Sequence, residues 1–211
     1  MRTVRWMASG LALMALLPSI GAAQSGRLFD NSWFWGAKGG IVSFSTTSGV
    51  NKVSPVVGVD WLITRSQGAL YVSADQAFFT STSTVPDNNG APSLVGIHNM
   101  RRYTAALLAF PVAYGTMRPY GGIGFSLNVI QGVSVADTTS SGSAIAARAF
   151  DEKDRAAFIA MAGLQAQMQR LSVFGQVTYM PAKTGFLLNG RTTYFLEAGV
   201  RYNVGTSREE Q

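Results

Sequence analysis

Few residues in this 211-residue chain could do chemistry. There is no cysteine, and His98 is the only histidine. Metal ligands are therefore lacking as a set, and no metal site is expected. A catalytic triad would have to be built on His98, which lies in the polar stretch Ser81 to Met100 and outside any alternating segment. A lone histidine in such a stretch reads as a solvated side chain. The run Gly121-Gly122-Ile123-Gly124 has no strand–helix context, so it is not a phosphate-binding loop. No cofactor is expected. What remains is charge: Lys38, Asp60, Asp75, Glu197 and Arg201 each stand inside a segment that alternates apolar with polar or small residues. If such residues are taken out of water, the chemistry open to them is mutual neutralisation, because buried charges are tolerated only when paired.

The segments must be strands. From Thr192 to Val204, Tyr194, Leu196, Ala198, Val200, Tyr202 and Val204 fall on one face, and Thr193, Phe195, Glu197, Gly199, Arg201 and Asn203 on the other. Eight such segments are predicted, over 33–46, 53–65, 69–80, 101–114, 118–131, 156–168, 171–181 and 191–204. Most reach the ~9–11 residues a tilted strand needs to cross a bilayer. Soluble strands average nearer ~5–6. Ser143 to Leu171 is rich in helix formers, but Gly163 and the alternation around it argue for a strand after Arg155. Ala144 to Asp154 is read as a helical turn within a loop.

Composition and chain ends point the same way. Met-Arg-Thr-Val-Arg, an apolar run from Trp6 to Ile20 and Gly21-Ala22-Ala23 read as a secretory signal peptide over 1–23. Removing 23 of 211 residues leaves 188, and losing Arg2 and Arg5 lowers the net charge from +6 to +4. That excess is too small and too scattered to argue for nucleic acid. Charged residues make up 13%, against about 25% in ordinary soluble domains. No later run is apolar enough to span as a helix. A membrane-spanning chain of this kind must span as strands.

The gaps alternate in length. Those at Ser66 to Gly68, Gly115 to Met117 and Gln169-Arg170 read as tight, and those at Ser81 to Met100, Gly132 to Arg155 and Ala182 to Gly190 as longer. Short turns at one end and long loops at the other are the pattern of outer-membrane barrels. Two aromatic girdles are expected as well. Trp33, Trp35, Trp61, Tyr71, Tyr114, Tyr120 and Tyr202 would form the girdle near the short turns. Phe78, Phe79, Tyr103, Tyr179 and Tyr194 would form the one near the long loops.

The pieces Arg118-Pro119-Tyr120-Gly121-Gly122-Ile123-Gly124, Val173 to Tyr179 and Phe195 to Tyr202 resemble the eight-stranded outer-membrane β-barrel family of OmpA and OmpX type, often called porin-like. The resemblance covers nearly the whole mature chain and implies an all-β, antiparallel, up-and-down transmembrane barrel over 24–204, followed by a polar tail at 205–211. It also implies location in the outer membrane and insertion by the barrel assembly machinery. A monomer is expected.

With Leu196 and Val200 facing lipid, Glu197 and Arg201 face inward, and the same parity places Lys38, Asp60, Asp75, Gly122, Gly124, Ser126 and Asn128 inside. A lumenal network of Lys38 and Arg201 with Asp60, Asp75 and Glu197 is predicted, in a lumen that side chains of eight strands can fill. Arg101, Arg102 and Arg191 are expected at the outer rim, where they could contact lipopolysaccharide phosphates. The charged run Arg148, Asp151, Glu152, Lys153, Asp154 and Arg155 reads as a solvated loop.

Three functional readings follow. The first is a structural or surface-interaction barrel that presents 81–100 and 132–155 outside, with a narrow-channel porin as its variant. The second is a lipid-modifying outer-membrane enzyme, which would depend on His98. The third is a soluble lipocalin-like barrel in the periplasm, with its apolar face inward. The first is favoured, and no enzymatic activity is expected.

Overall fold

The computed structural model describes residues 29–87, 90–135, 140–182, 186–188 and 191–206. The signal segment 1–23 and the tail from residue 207 onward lie outside the described residues. Eight strands follow one another around a closed barrel: β1 (Ser32–Ser45), β2 (Asn51–Arg65), β3 (Gly68–Pro86), β4 (Pro92–Ala109), β5 (Met117–Val135), β6 (Asp154–Met168), β7 (Leu171–Met180) and β8 (Thr193–Thr206). Each pairs antiparallel with its neighbour, and β1 closes on β8 with Ala37 opposite Val200 and Lys38 opposite Gly199. Closure removes the unpaired edges that an open sheet of such long strands would expose. One helix, α1 (Ser140–Asp151), lies between β5 and β6.

The period-two pattern decides what faces out. In β7 the burial alternates without a break, with Ser172, Phe174, Gln176, Thr178 and Met180 buried and Leu171, Val173, Gly175, Val177 and Tyr179 exposed. In β8, Phe195, Glu197 and Arg201 point inward while Leu196, Val200, Tyr202 and Val204 are exposed. The outer wall is thus apolar and the interior mixed, the reverse of a soluble barrel around an apolar ligand. Some outward aromatics stand near the strand ends, whereas Tyr103 and Phe125 sit in mid-strand. Trp35 stacks on Trp61 at 5.6 Å, with Trp33 edge-on to Trp61, and at the opposite end Tyr179 meets Tyr194 edge-on at 5.6 Å.

Several sequence expectations need correcting. Tyr71, Tyr120 and Phe79 belong to neither girdle; each is buried on the inner face. The segment 81–100 is mostly not a loop, because β3 and β4 stay paired out to Pro86 opposite Pro92. At the end of this pair the Asp87 amide donates to the Ala91 carbonyl, and Gly90 takes φ +82°. The segment's polarity is that of Ser81 to Thr84 alternating in and out above the wall, where a strand need not be apolar on both faces. β4 ends at Ala109 instead of 114, just before Phe110-Pro111, since proline cannot donate to the ladder. Helix α1 spans Ser140–Asp151, earlier than the expected 144–154, and β8 runs on through Gly205 and Thr206.

The interior has three layers. At the short-turn end Phe29, Phe34, Leu62, Phe110 and Tyr120 pack together. At the other end Val42, Phe44, Phe79, Ile97, Met100, Ile130 and Phe195 form a second apolar cluster. Ile145 and Ala149 of α1 and the segment Phe186-Leu187-Leu188 fold onto it as a lid. Between the two clusters lies charge.

Candidate functional site: the charged lumen

The middle layer starts from side chains that strand parity forces inward at five places. Lys38 comes from β1, Asp60 from β2, Asp75 from β3, Arg102 from β4, and Glu197 and Arg201 from β8. All are buried. Lys38 Nζ lies 2.8 Å from Asp75 Oδ1 and 3.0 Å from Glu197 Oε1. Arg102 Nη2 lies 2.7 Å from Asp75 Oδ2 and 2.8 Å from Glu197 Oε1. Two cations thus share two carboxylates in a closed, neutral quartet. Beside it, Arg201 Nε donates to Asp60 Oδ2 at 2.5 Å and Nη1 donates to Gln165 Oε1 at 2.9 Å.

Neutral side chains join the two groups. Tyr71 Oη accepts from Lys38 Nζ at 2.8 Å and from Gln176 Nε2 at 3.2 Å. Gln176 Nε2 also donates to Glu197 Oε2 at 3.1 Å, and its Oε1 accepts from the Tyr120 hydroxyl at 3.0 Å. Aromatic rings cover the guanidinium faces, with Arg102 3.6 Å from the centroid of Phe195 and Arg201 3.6 Å from that of Phe174. Gly36 makes room for the second pair, since a Cβ there would collide with Asp60 Oδ1 and with Arg201 Cγ.

The structure therefore brings Lys38, Asp75 and Glu197 together, and separately Asp60 with Arg201. The sequence reading missed Arg102 as a member and placed it at the outer rim. Arg102 points into the barrel instead and is the second cation of the quartet. The physical reason is parity: Arg101 and Arg102 are adjacent in one strand, so only one of them can face out. Arg101 is the exposed one, and Arg191 is exposed just before β8. His98 is not in a loop but in β4, where Nδ1 lies 3.2 Å from Thr80 Oγ1. Among the described residues no cluster of histidines and carboxylates could hold a metal ion.

The charged layer binds the wall to itself. Charge is balanced within it, apolar clusters lie above and below it, and aromatic rings cover both guanidiniums.

No family model matches the sequence, and no curated protein does either. Solved structures match in fold. Neisserial surface protein A is 14% identical, with 81% of this chain and 96% of that one covered at a TM-score of 0.58. Ail, the attachment invasion locus protein of Yersinia pestis, is 11% identical over 82% and 99%, at 0.53. The outer membrane protein AlkL, solved in DMPC lipid bilayers, is 14% identical over 87% and 95%, at 0.50. The closed eight-stranded, up-and-down antiparallel barrel is the architecture of these outer-membrane barrels. At these identities the likeness is one of fold.

Proposed function

We propose that this protein is an outer-membrane barrel that does not conduct. In this reading it works as a structural or surface-interaction scaffold through what it holds outside the membrane. The observation that carries the reading is the filled lumen, in which a neutral, fully buried charge layer lies between two apolar clusters. A diffusing solute would have to separate paired charges, each costing several kcal/mol to leave buried and alone. The exposed apolar wall, flanked by outward aromatics, supports placement in a bilayer. Export on the predicted signal peptide and insertion by the assembly machinery belong to the same reading.

The surface it would present is the β3–β4 hairpin and helix α1. Arg148 on α1 donates to the Pro86 carbonyl at 2.9 Å, which ties the two together. Binding residues concentrate on such projections held by a rigid scaffold. An enzymatic reading would depend on His98, whose Nδ1 lies 3.2 Å from the Thr80 hydroxyl.

A second reading, the narrow channel, has one observation in its favour. Asp60 Oδ1, Thr104 Oγ1, Asn128 Oδ1 and Thr178 Oγ1 are buried polar atoms with no protein partner, which would suit a file of water. Planar-bilayer recording on the purified protein separates the two. The plugged barrel is expected to leave the bilayer at baseline. Reproducible unitary steps would replace it with the channel.

A further inference from the structure

The lipid-facing wall is not uniform. Across β1 to β6 it carries two adjoining grooves of about 530 and 480 Å³, which share Val59, Ala74 and Tyr103. Small outward residues, Ala37, Ala74 and Ala105, make the floor, and Trp35, Tyr103 and Phe125 stand around it. From Gln76 down to Val72 the groove follows β3 over five residues, ~13 Å at the rise of a strand. Its lower part is almost wholly apolar, whereas its upper part, toward the β3–β4 hairpin, ends on Gln76 and Arg101.

That end is Arg101. Its guanidinium is exposed, and among the described residues it forms no ion pair. A side-chain amide holds it: Nε donates to Gln76 Oε1 at 3.2 Å, and Gln76 Nε2 in turn donates to Gln131 Oε1 at 2.7 Å. Asp154, two strands away across Val129, makes no bridge to it. An oriented cation without a counter-charge, above an apolar groove in a wall of aromatics, is complementary to a phosphate that carries an acyl chain.

We propose that this groove binds one molecule of lipid A, the acylated and phosphorylated anchor of lipopolysaccharide, with an acyl chain against Ala74 and Ala105 and a phosphate on Arg101. The site rests on the outer-membrane reading above. It commits to lipid A over a phospholipid because Arg101 lies toward the end that reading places outside, in the leaflet where lipopolysaccharide resides.

The test is native mass spectrometry of the full barrel extracted from nanodiscs holding lipid A and phosphatidylglycerol. Wild type is expected to retain one lipid A, at an occupancy at least tenfold above that of Ala74→Phe/Ala105→Phe, which fills the groove. Arg101→Gln is expected to lower retention at least threefold; as an exposed single substitution it serves even if the filled variant does not fold. Equal retention by the folded variants overturns the site, and equal retention of phosphatidylglycerol overturns the choice of lipid A. Heat-modifiable gel mobility in outer-membrane fractions, run on each variant, keeps the two readings apart. Absence of wild type from those fractions overturns the membrane reading and this inference together. A normal fraction without lipid retention overturns this inference alone.

Discussion

Arg201 and Asp60 stand 141 residues apart in sequence and meet at 2.5 Å, both without measurable exposure. The pair links β8 to β2 across the inner face of β1, where Gly36 leaves space for it. Removing one partner should cost more than removing both. Asp60→Asn leaves a buried guanidinium without its counter-charge, expected to destabilise by about 3–5 kcal/mol, whereas Asp60→Leu/Arg201→Met should recover most of that loss. Urea unfolding in lipid vesicles, followed by tryptophan fluorescence, measures the difference.

Neighbouring arginines should behave oppositely. Arg102→Ala breaks the neutral quartet and leaves Asp75 and Glu197 with Lys38 alone, at an expected cost of about 3–5 kcal/mol. Arg101→Ala removes an exposed side chain and should change stability by no more than about 0.5 kcal/mol. The same unfolding assay on the two single variants decides; equal effects would contradict the assigned parity of β4.

A third prediction separates lipid from water on the outer wall. Leu196, 55% exposed, lies between Tyr194 and Tyr202 on β8. If that wall faces hydrocarbon, Leu196→Arg should cost about 2–4 kcal/mol. On a surface facing water the same change would fall within about 0.5 kcal/mol. Refolding equilibria in vesicles read the difference directly.

The seam that closes the barrel should be intolerant of bulk. A Cβ at Gly199 would collide with the Ala37 carbonyl and the Lys38 backbone, so Gly199→Val is expected to cost about 1–3 kcal/mol through overpacking. The loss should appear as a reduced fraction of the compact, heat-modifiable form on gels. Gly205→Ala, with nothing near its Cβ, serves as the matched control.

Much of the barrel is legible along the chain because period two is a local property. Each strand's faces follow from its own residues, and so does the inward placement of Lys38, Asp60, Asp75, Glu197 and Arg201. Adjacent Arg101 and Arg102 show where reading residue by residue fails. Both look like rim cations until parity is applied to them, and register alone places Arg102 opposite Asp75. The β3–β4 register also shifts between Ala77 and Thr80, where Phe78 turns out and Phe79 in, and no local pattern signals that irregularity. His98 misled for a different reason: a strand that rises above an apolar wall loses its hydrophobic alternation while keeping its partner.

By itself, then, the sequence determined the strand count, the polarity of each face and the need for buried charges to find partners. Tertiary structure alone decided which charges meet, that apolar clusters lie on both sides of the charged layer, and that small outward residues on neighbouring strands line up as a groove. The reason is geometric. Faces are set by the chain's own dihedrals, whereas contacts across a lumen depend on how eight strands are staggered when the sheet closes on itself.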